Sequence, residues 1–177
     1  MRIAAGRFKG RQLPTVNEAR PVGARLKTSL FTVLAPYLEG ARVLDVCAGV
    51  GGLGLEALSR GASHVTLVEN DRQAVRALGA WLKKYELGDA CTVLARDALG
   101  PAWPAGPFDL VFLDPPFGFF EDGRIEQLLS RAAAVLAPEG LVAVKAPEEA
   151  AVPELADLTL HKQGRAASVA YWLLASH

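Results

Sequence analysis

At 177 residues, 51% of them apolar, the chain has the length of one domain and enough apolar side chains for a continuous core. No apolar run reaches the roughly 18–20 residues that cross a bilayer, and MRIAAGRFKG lacks the apolar centre of a signal peptide, so a cytoplasmic protein is expected; a monomer is a separate expectation that the sequence does not decide. The 19 basic and 19 acidic side chains cancel, which argues against a strongly cationic nucleic-acid binder.

The charge is unevenly spread. Residues 1–28 hold seven bases (Arg2, Arg7, Lys9, Arg11, Arg20, Arg25 and Lys27) against one acid, Glu18, a net +6 that leaves −6 for the remainder. Such an end either faces a polyanion or serves as a solubilising arm. Residues 1–40 therefore read as a basic N-terminal extension, with RIAAGRFKGRQL as two short strands around glycines. Leu26, Leu30, Val33, Leu34 and Tyr37 then recur at helical spacing through Leu38.

Residues 41–177 read as one unit in which strands and helices alternate. RVLDV, HVTLVE, CTVLA, FDLVFL and GLVAVKA are apolar strands. Helices are predicted through LGLEALSRG, through DRQAVRALGAWLKK with Ala74, Val75, Leu78, Trp81 and Leu82 on one side, and along Ile125, Leu128, Leu129, Ala132 and Leu136. RDALGPAWPAGP is too rich in proline and glycine for regular structure. LTLHKQ and ASVAYWLLA are two further strands joined by a GRA turn at hairpin spacing. The expected fold is α/β: a mostly parallel seven-stranded sheet covered on both faces and finished by an antiparallel C-terminal hairpin.

In such sheets ligands sit at the carboxyl ends of the strands. After the first strand, Gly49, Gly51 and Gly54 give a G-x-G-x-x-G spacing, and Glu69 ends the next strand twenty residues after Gly49, where it can accept both hydroxyls of a ribose. This spacing suits a dinucleotide enzyme and a methyltransferase equally. Asp45 shifts the choice, because a carboxylate under the loop repels a pyrophosphate but holds the ammonium of S-adenosylmethionine. Asp97, after the third strand, is placed to accept the adenine amino group while the Ala98 amide donates to the ring. Three acids at successive strand ends suit a cationic sulfonium.

FLDPPFGFF ends the fourth strand in an acid, two prolines and an aromatic ring. Prolines cannot continue a ladder, so the strand stops there and turns rigidly. An exocyclic amine on a nucleobase is a poor nucleophile, its lone pair being delocalised into the ring. If the Asp114 carboxylate and the Pro115 carbonyl accept its N–H bonds, the nitrogen pyramidalises; Pro116 stiffens the turn and Phe117 offers a stacking face. Catalysis is then mostly positioning, with no metal. Cys47 and Cys91 are too few and too far apart for a disulfide framework or a metal cluster and read as buried free thiols. No histidine has an acid/base partner nearby in sequence. Trp103, Phe119 and Phe120 flank the fourth strand as candidate walls of the target pocket.

VLDVCAGVGGLGLEALSRGASHVTLVEND followed by FDLVFLDPPF resembles the class I S-adenosylmethionine-dependent methyltransferases with a D/N-P-P-Y/F motif. MRIAAGRFKGRQL, RP at 20–21 and LF at 30–31 resemble, more narrowly, the bacterial enzymes that methylate the exocyclic N2 of a guanine in 16S ribosomal RNA. The resemblance implies a Rossmann-like class I methyltransferase fold and S-adenosylmethionine as cofactor. It also implies a cofactor site of Asp45, Ala48, Gly49, Gly51, Glu69, Asn70, Asp97 and Ala98, and a target site of Asp114, Pro115, Pro116 and Phe117. Arg2, Arg7, Lys9, Arg11, Arg20 and Arg25 are then the RNA contacts, with 16S rRNA in the small subunit or an assembly intermediate as partner. The chain departs from the family pattern at Val22, Gly23, Ala24 and Thr28, and at Cys47 and Val50 in the loop. DNA adenine-N6 methylation, and an RNA-binding assembly factor without turnover, are the alternatives; a dinucleotide-dependent oxidoreductase leaves the proline pair unexplained.

Overall fold

The computed structural model describes residues 1–16, 23–166 and 168–176. The apolar runs become one seven-stranded sheet: β1 (Arg42–Val46), β2 (His64–Glu69), β3 (Cys91–Ala95), β4 (Phe108–Leu113), β5 (Leu136–Pro147), β6 (Leu158–Ala166) and β7 (Val169–Ser176). Their order is β3-β2-β1-β4-β5-β7-β6, with β1 to β5 parallel and β7 antiparallel to both its neighbours. Four α-helices are described: α1 (Ala24–Leu34), α2 (Gly54–Ser59), α3 (Arg72–Lys84) and α4 (Arg124–Val135). The Rossmann-like class I expectation holds.

The pleat explains why central strands are apolar throughout. Val43, Leu110, Phe112, Leu141 and Ala143 pack on one face with Leu30 and Phe31 of α1, Leu55 and Leu58 of α2, and Leu78 and Trp81 of α3. Their strand neighbours Leu44, Val111, Leu113, Val142 and Val144 point to the other face, against Leu128, Leu129 and Ala132 of α4 and the Trp172 ring. Each such Leu, Val or Phe contributes about 1.5–3 kcal/mol by leaving water. α3 starts where Asp71 accepts the Ala74 amide at 2.7 Å and ends on Lys83 and Lys84, which suit the negative end of the helix.

From β1 the chain steps outward to β2 and β3, then returns to β4 on the other side of β1. That reversal opens a crevice at the carboxyl ends of β1 and β4.

Four local expectations change. The two N-terminal strands shrink to one antiparallel bridge, Arg2 with Gln12, because Gly6 (φ 79°) and Gly10 (φ 84°) turn the segment between them and the Arg7 amide donates to the Ser59 carbonyl instead of a ladder. The first helix ends at Leu34 and continues only as a 3-10 turn over Ala35–Tyr37, where Pro36 removes an amide. GRA is strand and not turn: Gly164 pairs with Tyr171, Arg165 with Ala170 and Ala166 with Val169, so the hairpin pairing runs through the whole of GRA. Gly164 is needed for space, since a Cβ there would stand 2.5 Å from Tyr171 ring atoms. Leu136 likewise opens β5 instead of closing α4; Pro138 biases Ala137 out of the helix. Among the described residues no helix is long and apolar enough to cross a membrane.

Candidate active site

The loop after β1 is built by its backbone. Cys47 (φ 61°), Gly49 (φ 55°) and Gly51 (φ 78°) all take left-handed conformations, and the Gly51 amide closes the turn on the Ala48 carbonyl at 2.8 Å. Gly54 serves packing: a Cβ would meet Leu67 at 2.6 Å. Its amide donates to Oδ2 of Asp45 at 2.8 Å, so the acid under the loop tethers the start of α2. The other oxygen, Oδ1, is buried with no donor among the described residues. Burial pushes the Asp45 carboxyl up to about 8; the Gly54 amide opposes that rise, and Asp114 and Glu69 add to it.

Glu69 at the end of β2 is also engaged by backbone. Its Oε2 accepts the Gly49 amide at 2.7 Å and Oε1 the amides of Asn70 and Asp71 at 2.8 Å each, which ties the two loops together and leaves lone pairs for a ligand. Asp97 accepts the Leu99 amide at 2.9 Å through Oδ1. The segment beyond it is clamped from behind, because the Trp103 indole donates to the Ala98 carbonyl and Arg131 to the carbonyls of Ala98 and Gly100.

β4 delivers Asp114 beside β1, where its amide donates to the Val46 carbonyl at 3.3 Å. The Pro115 carbonyl accepts no hydrogen bond among the described residues, while that of Pro116 accepts the Phe119 amide at 3.0 Å and starts the turn Phe117–Phe120. Phe117 is 39% exposed, its ring standing edge-on to Phe120, which in turn stands edge-on to the buried Trp172. Lys145 of β5 donates to Asp114 Oδ1 at 2.6 Å. Burial pushes the Asp114 carboxyl up, and Lys145 pulls against that rise.

These ends surround a cavity of about 500 Å³, a volume suited to a nucleoside-sized ligand. Of the residues singled out in the sequence, Asp45, Ala48, Gly49, Glu69, Asn70, Asp97, Ala98, Asp114, Pro115, Pro116 and Phe117 line it. Gly51 does not: a Cβ there would meet Leu55 and Leu78 at 3.0 Å, and Val50 and Gly52 line the cavity beside it. Phe119 is a wall, whereas Trp103 and Phe120 brace from behind. Sequence reasoning missed Lys145, Arg96, Val68 and Met1, which also line the cavity. A lone lysine in the apolar run LVAVKAP was the available signal for the first. The Cys47 thiol, half-buried, is pushed up to about 12 by burial and by Glu69, Asp114, Asp45 and Asp97, so it stays protonated and inert. Among the described residues no group of His, Cys, Asp and Glu could hold a metal ion.

The basic segment is partly committed to packing. Arg2 donates to the Gly10 carbonyl, and Arg11 lies over the rings of Phe8 and Tyr85 at 4.6 and 4.3 Å. Arg7 lies 4.9 Å from the Phe8 ring centroid, and its side chain, like those of Lys9 and Arg25, is exposed. Lys27 is buried and 2.7 Å from Glu56. Arg20 and Val22 lie outside the described residues.

Comparison with known proteins places the whole chain beside a family of similar length. A family model described as conserved hypothetical protein 95 matches residues 1–175. Ribosomal RNA small subunit methyltransferase D of Escherichia coli K12 is 36% identical over 98% of this chain and 88% of its own length. The Haemophilus influenzae protein of the same name is 35% identical over 98% and 92%. The solved structure of yhhF from Escherichia coli superposes with a TM-score of 0.88 at 35% identity, covering 100% of this chain and 98% of that one.

Proposed function

The chain belongs to the family described as conserved hypothetical protein 95, and on that premise we propose that it methylates the exocyclic N2 amine of a guanine in 16S rRNA. Its relatives named as small-subunit rRNA methyltransferases support rRNA methylation with S-adenosylmethionine as cofactor. The observation that carries the finer reading is the convergence of Asp114-Pro115-Pro116-Phe117 on the cavity that also holds Asp45, Glu69 and Asp97.

The residues fit the cofactor. Oδ1 of Asp45 is a buried acceptor with no donor among the described residues, which an ammonium satisfies and a phosphate does not. Asp45, Ala48 and Gly49 would hold the methionine end, Glu69 and Asn70 the ribose, and Asp97 with the Ala98 amide the adenine. Gly51 shapes the turn beneath. When bound, S-adenosylmethionine supplies a methyl group on a positively charged sulfur that keeps the C–S electron pair as the bond breaks.

The chain's own residues act on the acceptor. A guanine flipped from the RNA stacks on the exposed Phe117 ring. The free Pro115 carbonyl and Asp114 Oδ2 accept the two N–H bonds of the amine, which turns its lone pair out of the ring plane for in-line attack. The new N–C bond forms, and the surplus proton leaves the amine through Asp114 to solvent. Residues 1–40 act as the RNA-facing extension of the 41–177 catalytic unit, with exposed Arg7, Lys9 and Arg25 on phosphates and the protein acting as a monomer. Arg2 and Arg11 serve the same face at most in part, being held by Gly10 and by Phe8 and Tyr85.

The test is transfer of a labelled methyl group to small subunits and naked 16S rRNA that lack the modification, followed by nucleoside analysis. N2-methylguanosine at one site is the expected product. Cofactor binding without methylation of either substrate, or label found instead as N6-methyladenosine in DNA, overturns the proposal.

A further inference from the structure

In the run Leu141–Ala146 of β5, Lys145 is the only charged side chain, and its neighbours Val144 and Ala146 are buried. The parallel register pairs Leu113 with Val144, so Asp114, just past the end of β4, and Lys145 of β5, each the next residue along, stand side by side. The two side chains are 17% exposed each, the ammonium donates to Oδ1 of Asp114 at 2.6 Å, and it lies 5.7 Å from the centroid of the Phe117 ring. Oδ2 of Asp114 has no donor among the described residues.

A cation is a poor choice for a pocket that receives a cationic cofactor, and the other acids around Asp114 would suit that cofactor better without it. Those acids are Asp45 on β1, Glu69 at the end of β2 and Asp97 after β3; Arg96 is the other basic side chain among the lining residues, which also include the Cys47 thiol and the chain's first residue, Met1. The placement makes sense for the acceptor side. Building on the amine methylation proposed above, we propose that Lys145 is a positioning residue for methyl transfer, pinning Oδ1 of Asp114 so that Oδ2 is the oxygen left to receive the substrate amine.

A free carboxylate rotates between equivalent oxygens, and a charge-assisted hydrogen bond to one of them removes that freedom. The ammonium has a second effect. Burial already raises the Asp114 carboxyl, and Lys145 is the group that opposes the rise. Without it the buried Asp114 would have no counter-ion of its own and would take up a proton. A protonated carboxyl is a donor as well as an acceptor, so the amine N–H would lose its partner and the lone pair would stay in the ring.

The full chain carrying Lys145→Met or Lys145→Arg tests this, with thermal melting to establish that each variant is folded. In cofactor-free protein, the labelled Asp114 carboxyl carbon, assigned with Asp114→Asn, is followed through a pH titration. It should titrate about one unit or more higher in Lys145→Met and close to its native position in Lys145→Arg. Methyl transfer to 16S rRNA near neutral pH should fall about 100-fold in kcat in Lys145→Met, with KM for the RNA and affinity for S-adenosylhomocysteine nearly unchanged. The loss should shrink as the pH rises past the displaced Asp114 titration, and Lys145→Arg should retain most of the rate. An unmoved titration overturns the proposal whatever the rate does. A displaced titration with native kcat also overturns it, as does a rate lost equally at every pH. If the native protein methylates no rRNA, the substrate assignment fails by itself, and the carboxyl titration decides the Lys145–Asp114 pairing separately.

Discussion

Glu56→Ala should be the most damaging single change away from the cavity. Glu56 is fully buried in α2, where its oxygens accept the amides of Ala4 at 2.9 Å and Ala5 at 3.1 Å and meet Lys27 Nζ at 2.7 Å and Arg60 Nε at 2.8 Å. Burial works against its charge, but the Ala4 amide, Lys27 and Arg60 outweigh it and hold the carboxyl below its ordinary 4.5. Removing it leaves the Lys27 ammonium, 5% exposed, without a counter-ion. Breaking a buried pair from one side costs about 3–5 kcal/mol. Ala4 and Ala5, being only partly buried, can turn to water and add little. For a chain of this length each kcal/mol lowers Tm by about 2–4 °C, so a drop of roughly 6–20 °C is expected.

Calorimetry of Glu56→Ala, Lys27→Met and the double variant checks the mechanism. The double variant should be less destabilised than the two singles together by about 2 kcal/mol or more, because it no longer buries an unpaired charge. Simple additivity would refute the pairing. The pH dependence gives a second check with a definite sign. A depressed carboxyl adds stability that is complete above its unfolded value near 4.5 and is lost as pH falls through the folded value, so the native advantage over Glu56→Gln should be full at neutral pH and shrink below about pH 4.5. Hydrogen exchange at Ala4 and Ala5 should speed up in Glu56→Ala before global unfolding.

Asp45 should give the opposite sign: a carboxyl raised to about 8 contributes stability that is present below its ordinary 3.8 and lost as pH rises through 8. The Tm of cofactor-free protein should therefore fall from pH 5 to pH 8.5 more steeply than that of Asp45→Asn, and parallel curves would refute the burial of that charge. Asp114→Ala should lower methyl transfer by about 10² or more while preserving the thermal shift with S-adenosylhomocysteine, and a native rate would refute its role. Gly164→Val should push the Tyr171 ring off the sheet and destabilise by about 1–3 kcal/mol in denaturant unfolding, whereas a surface-turn glycine would tolerate the change.

The parts of the molecule that were legible are those in which neighbours in sequence decide the outcome. Apolar runs of strand length bounded by glycine and proline became β1 to β5, and the acids that end RVLDV, HVTLVE and FDLVFLD came to one edge because parallel strands end on the same side. GRA misled because a glycine that makes room for a facing tyrosine looks, in one dimension, like a glycine that turns the chain. The arm's arginines misled in a related way: charge counts do not show that Arg11 is held between Phe8 and Tyr85, or that Lys27 is buried against Glu56. Pairings such as Lys145 with Asp114, 31 residues apart, depend on interstrand register and cannot be read from spacing.

One signal in the sequence nonetheless points to all of them. Asp45 in RVLDV, Glu56 in LGLEALS and Lys145 in LVAVKAP are single charges inside apolar runs, and a charge taken out of water needs a partner. Glu56 finds Lys27 and Arg60, and Lys145 finds Asp114. Among the described residues Asp45 finds the Gly54 amide for one oxygen, and its other oxygen is left over inside the fold. Since the first two are satisfied by the protein, they should act on stability and on geometry; the third, with one oxygen left without a donor among the described residues, is where affinity for a cationic ligand should reside. Asp45→Asn should therefore weaken S-adenosylmethionine binding far more than Glu56→Gln does.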